Sequence, residues 1–226
     1  MLRAMRLTSL LIGCLVLDLL STGCATTREM YYNAWEGMGY AKRERLVDNV
    51  KEARDEQAKA KQEFASALEQ FKSVVNFQGG DLEAMYNKLN KAYERSDAQA
   101  TEVRDKITGV KRVATALFEE WQGEIKQMKD DPSLRDSSQK LYDQTKQSYG
   151  EMIARMDSAA KSMDPVLTRF KNRVLFLKHN LNAQAIASLK GTELELGGDI
   201  DKLIKEMEAS IAEADAFIAE IQPKKG

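Results

Sequence analysis

From Leu82 to Met128, apolar or small residues return at steps of three and four without a break: Leu82, Met85, Leu89, Tyr93, Ser96, Ala100, Val103, Ile107, Val110, Ala114, Leu117, Trp121, Ile125 and Met128. A seam sustained for more than six heptads commits one face of a helix to packing against other helices, and a strand, which alternates every second residue, has no use for it. The preceding segment answers with Val47, Val50, Ala60, Phe64, Leu68, Phe71 and Val74, and its flank from Lys42 to Glu63 is dense in mixed charge, as a solvated face is. Gly79-Gly80-Asp81 stands between the two segments, so they are expected to fold back as an antiparallel hairpin. At 1.5 Å per residue, a helix of about 48 residues is about 72 Å long, which predicts an elongated molecule.

Further turn signals are few. Asp130-Asp131-Pro132-Ser133 and Asp164-Pro165 each set a capping aspartate before a proline at the first helical position, where its missing N–H does no harm. Thr192 with Glu195 fits a capping box, and Gly197-Gly198-Asp199 competes with it, so the last helix starts at one place or the other. The expected helices cover about 28–77, 82–129, 133–163, 165–190 and 194–221. The fold class is all-α: an elongated antiparallel coiled-coil hairpin over 28–130, with shorter C-terminal helices over 131–222 forming a bundle with it, and a tail at 223–226.

Composition narrows the functional classes. Lys plus Arg (34) and Asp plus Glu (35) nearly cancel, so no whole-protein field recruits nucleic acid. One histidine and two cysteines are too few for the usual zinc, iron-sulfur or nucleophile-and-base arrangements. No Gly-rich phosphate loop, HExxH or GxSxG motif is present. The expectation is a protein that is not an enzyme, with no cofactor, no metal site and no catalytic residue.

The N-terminus reads as an address. Arg3 and Arg6 precede an apolar run from Leu7 to Leu20 that ends at Ser21-Thr22-Gly23-Cys24. About 14 residues suit a secretory signal, whereas a bilayer-spanning helix needs about 20. Gly23 before Cys24 resembles the lipobox of bacterial lipoproteins, which implies a signal peptide over 1–23, lipid on Cys24 and a short linker at 24–27. Ser21 and Asp18 depart from the usual pattern, and Leu11-Ile12-Gly13-Cys14 matches the short motif but leaves too little apolar chain before it. The competing reading is ordinary cleavage after Ala25, releasing a soluble periplasmic protein. Either route leaves a mature chain without a thiol. Ala25, rather than Asp, after the cysteine points by analogy with enterobacterial sorting to the outer membrane.

The near-neutral total hides an asymmetry. From Val166 to Thr192 there is no acid among Arg169, Lys171, Arg173, Lys178 and Lys190, while from Glu193 to Glu220 nine acids face Lys202 and Lys205. One reading pairs the basic helix with the acidic one as a hairpin. The other turns Arg169, Lys171, Arg173 and Lys178 toward anionic lipid headgroups, with Leu175, Phe176 and Ile186 as the apolar complement. Near the anchor, Met30, Tyr31, Tyr32, Trp35, Met38 and Tyr40 form an aromatic cluster, suited equally to a bilayer interface or partner contact through Tyr31, Tyr32 and Trp35, and to burial in the bundle. His179, with no acid within ten residues of it, is read as a packed or hydrogen-bonded bundle histidine. Met128, Met152, Met156 and Met163 keep the spacing of a core stripe.

Gly39-Tyr40-Ala41-Lys42-Arg43, Leu117-Phe118-Glu119-Glu120-Trp121, Asp164-Pro165-Val166-Leu167 and the stretch Leu175-Phe176-Leu177-Lys178-His179-Asn180-Leu181-Asn182-Ala183 resemble a bacterial family known as a domain of unknown function. Its members are similar to secreted proteins or lipoproteins of Gram-negative bacteria, and the resemblance implies location and fold without an activity. The functional expectation is a lipid-anchored periplasmic coiled-coil protein with a structural or adaptor role in the cell envelope. The alternative is a membrane-surface binding or remodelling protein that contacts anionic lipid through its basic helix. The partners this allows are the membrane through the anchor, an envelope protein, and a second copy of the chain, since a heptad seam can be filled within or between chains.

Overall fold

A computed structural model describes the backbone of residues 23–77 and 79–222, and side chains from Lys42 onward. Five helices follow one another: α1 (Gly23–Val75), α2 (Leu82–Gln127), α3 (Pro132–His179), α4 (Ala183–Lys190) and α5 (Glu193–Ile221). Among the described residues there is no strand. The backbone is helical through 24–27, the stretch expected as a linker. The chain divides between Lys42 and Arg43 into two units, and the packing below is that of the second.

The turns show what stops and starts each helix. Gly79 (φ 142°) and Gly80 (φ 128°) reverse the chain after α1 in a conformation that a side chain resists. Asp81 then caps α2, its Oδ1 accepting from the amides of Glu83 (2.9 Å) and Ala84 (3.1 Å). Asp131 caps α3 by accepting from Leu134 N at 3.0 Å, with Pro132 opening the helix.

One expected boundary moves, and one expected cap does not form. The helix does not end at Asp164-Pro165: α3 runs through Pro165 to His179. Proline removes one backbone donor, but Met163, Val166, Leu167 and Phe170 on either side are buried in a continuous face, and their packing holds the helix through the defect. The break comes instead at Asn180-Leu181-Asn182, where Asn182 Oδ1 accepts from Ala185 N at 2.9 Å and starts α4. The capping box at Thr192 does not form. The Thr192 hydroxyl donates to Leu189 O (2.8 Å) and accepts from Arg173 Nε (3.1 Å), and Glu195 pairs with Arg173. Helix α5 nevertheless starts at Glu193 and continues through Gly197-Gly198.

From Arg43 onward the four long helices form one up-down-up-down bundle. Glu52 meets Lys106 (2.8 Å) and Glu63 meets Arg95 (3.0 Å), so α1 and α2 are antiparallel. Arg104 with Asp164 (2.5 Å) and Lys111 with Asp157 (2.7 Å) set α3 antiparallel to α2. Arg169 with Asp199 and Arg173 with Glu195 (3.1 Å) do the same for α5 on α3. The ring closes where α5 returns to α1, through Arg54 with Asp215 (2.6 Å) and Lys61 with Glu208 (3.2 Å). The last helix thus fills the groove that an isolated hairpin would leave open, and the basic and acidic segments pair across α3 and α5.

The core follows the heptad seams. Val47, Val50, Ala60, Phe64, Leu68, Phe71 and Val74 of α1 are all buried, as are Leu89, Val103, Ile107, Val110 and Leu117 of α2 and Met152, Met156 and Met163 of α3. Small residues let the helices approach closely: a Cβ on Gly109 would stand 3.1 Å from Asn49 Oδ1 of α1. One layer is polar. Gln57 of α1 and Ser210 of α5 are fully buried, and the serine hydroxyl donates to Gln57 Oε1 at 2.9 Å. Gln57 Nε2 and Ser96 Oγ are buried with no hydrogen-bond partner among the described residues.

Candidate contact surface

The side of the bundle is closed by the core beneath and by the eight ion pairs given above across its four helix junctions. Each exposed pair contributes little by itself, but together they line the seams with acidic and basic side chains. Hydrogen bonds from Lys59 (2.7 Å) and Gln99 (2.6 Å) hold the Glu56 carboxyl below its usual range. Asp215 and Asp55 hold the Arg54 guanidinium above its usual value. These groups are spoken for by their neighbours.

The ends differ from the side. The exposed large apolar side chains among the described residues are Leu134, Leu141, Leu175, Phe176, Leu181 and Leu194, and all six lie near one end or the other. At the end where α2 passes to α3 stand Leu134, 62 % exposed, and Leu141 one heptad later. Beside them lies an aromatic stack: Trp121 and Phe118 both meet Tyr142 edge-on (5.6 and 5.7 Å), Phe118 meets Tyr149 (5.4 Å), and Trp121 Nε1 donates to Ser138 Oγ at 3.0 Å. Arg43 lies 5.7 Å from the Trp121 ring centre. Burial pushes the Tyr149 phenol up to about 12, with the Asp157 carboxylate adding to the effect.

At the opposite end, the last turns of α3 present Lys171, Leu175, Phe176, Lys178 and His179 to solvent, followed by Leu181 in the turn and Lys190 closing α4. Leu194, opening α5, is 90 % exposed. The four basic residues singled out from the sequence therefore separate. Arg169 and Arg173 are turned to α5 and tied to Asp199 and Glu195, whereas Lys171 and Lys178 are exposed and form no ion pair among the described residues.

Two expectations are corrected. Ile186, expected beside Leu175 and Phe176 as an exposed apolar complement, is buried, because α4 turns Ala185, Ile186 and Leu189 onto the bundle. His179 is exposed at the last residue of α3, where a basic side chain suits the helix terminus, and is not packed in the core. Leu181 and Leu194 join the apolar surface unannounced, since isolated leucines in turns carry no periodic signal. Cys24, Tyr31, Tyr32 and Trp35 lie outside the residues whose side chains are described.

Among the described residues, no group of three or more His, Cys, Asp or Glu side chains is placed to hold a metal ion, and no helix is long and apolar enough to cross a membrane. Compared with known families, residues 31–221 match the model described as protein of unknown function DUF2959. The chain belongs to this family. The match takes in all four bundle helices and both ends of the bundle, so the exposed apolar side chains described above lie within the family domain. No curated protein matches the chain.

Proposed function

We propose that this DUF2959 protein is a lipid-anchored periplasmic helical-bundle protein with a structural or adaptor role in the cell envelope, and that it makes its contacts through the ends of the bundle. The observation that carries this reading is the distribution of exposed apolar groups: leucines toward both ends, with Phe176 at one of them, and ion pairs along the side. Single exposed leucines are ordinary on a protein surface; what supports the reading is that the exposed large apolar side chains among the described residues gather toward the two ends.

The anchor is supported by Arg3 and Arg6, the apolar run to Leu20 and Gly23-Cys24, in the order of a lipoprotein leader. Several acyl chains, at about 0.8 kcal/mol per buried methylene, would hold the chain on its membrane, by analogy the outer one. Intact mass of the native protein tests the anchor: a chain starting at Cys24 with added lipid mass is expected, and an unmodified chain starting after Ala25 would remove it. The second reading, direct contact with anionic lipid, is favoured by one feature of the far end.

A further inference from the structure

We infer that the end of the bundle formed by the last turns of α3, the Asn180–Asn182 turn and α4 is a docking surface for an anionic lipid bilayer. The inference rests on the reading that the ends make the contacts, and assigns an occupant to one of them. Over the 27 positions from Val166 to Thr192 there is no carboxylate. Within that stretch Arg169 and Arg173 are paired with Asp199 and Glu195, which leaves Lys171, Lys178 and Lys190 as cations with no ion pair among the described residues. Between them stand Leu175, Phe176 and Leu181, all exposed.

This arrangement fits a headgroup region. Apolar groups enter the acyl boundary while lysines on flexible stems reach the phosphates, and each lysine near an anionic surface contributes a factor of about five in binding. The surface is the outer face of a helix end and a turn, so its apolar groups project outward. An acidic protein partner would be met more naturally by arginines in fixed bidentate geometry, and the arginines here are turned inward to α5. The surface also lies at the opposite end of the bundle from Arg43, about 50 Å away along the 33 residues from Arg43 to Val75.

The test uses the full chain with vesicles of phosphatidylcholine alone and of phosphatidylcholine with phosphatidylglycerol. The chain reconstituted in neutral vesicles is expected to dock a second population containing phosphatidylglycerol, and not a neutral one, with docking suppressed at high salt. Lys171→Glu with Lys178→Glu should weaken docking by more than about 25-fold, and Leu175→Ser with Phe176→Ser should weaken it too, while Lys205→Glu on the side of α5 should leave it unchanged. All these positions are exposed, and circular dichroism confirms that each variant folds. Docking that ignores phosphatidylglycerol, or equal loss in the Lys205→Glu chain, would overturn the inference. So would an acidic protein captured at these residues in cells while vesicle docking fails. If the chain does not enter neutral vesicles at all, the anchor falls instead; sedimentation of the same chain with phosphatidylglycerol vesicles, wild type against the double lysine variant, then decides the docking surface separately.

Discussion

Gln57 and Ser210 put an amide and a hydroxyl, hydrogen-bonded to each other, into a core that is otherwise almost entirely apolar. A buried amide with an unpaired N–H costs stability, and its return is specificity: α5 must meet α1 where Ser210 reaches Gln57, one level below the Lys61–Glu208 pair. Gln57→Ala removes the acceptor, strands Ser210 and opens a cavity, so a loss of about 2–4 kcal/mol in urea unfolding is expected. Gln57→Leu with Ser210→Ala replaces both partners by apolar groups and should be near neutral or stabilising. Tyr149 makes a second prediction at this scale. Its folded form keeps the phenolic proton up to about 12, while the unfolded chain loses it near the ordinary value of about 10. Its contribution to stability is therefore whole below about pH 10 and falls as pH rises toward about 12. Denaturation of wild type and Tyr149→Phe at pH 9 and pH 11 should show wild type losing more than the variant over that interval; equal losses would mean that Tyr149 titrates normally.

At the scale of the element, the seams were readable because steric periodicity repeats the same message many times. Every α1 position taken from its apolar series is buried, and the α2 series is half-buried only at Tyr93 and Trp121 and at its two ends, Leu82, Met85 and Met128. The boundaries were less readable because each rests on one or two residues. Asp164-Pro165 has the form of a helix start, yet Asp164 is used by Arg104 and the core face continues past the proline. Asn180-Leu181-Asn182 is the real break, and its signal is an asparagine cap without glycine or proline. Since Pro165 is exposed and interrupts the backbone ladder of α3, Pro165→Ala should raise stability by about 1–3 kcal/mol, read from the urea midpoint. No gain would show that α3 is bent there by tertiary packing that alanine cannot relieve.

For the bundle from Arg43 onward, the sequence could announce helices of opposite charge but not which neighbours they choose. Charge alone allowed the basic segment to pair with α5 or to face lipid, and the structure divides it: Arg169 and Arg173 pair with α5, while Lys171 and Lys178 stay exposed with no ion pair among the described residues. Leu134, Leu141 and Leu194 could not be told from core leucines without knowing where each helix stops being covered. The closed side and apolar ends make the central claim that contacts occur at the ends. The most direct test places a photo-crosslinking amino acid, one site at a time, along α3 and at the start of α5 in living cells. Positions 134, 141, 175, 181 and 194 are predicted to capture protein or lipid, and the exposed side positions 154 and 161 to capture neither. Capture of equal strength at 154 and 161 would contradict the account.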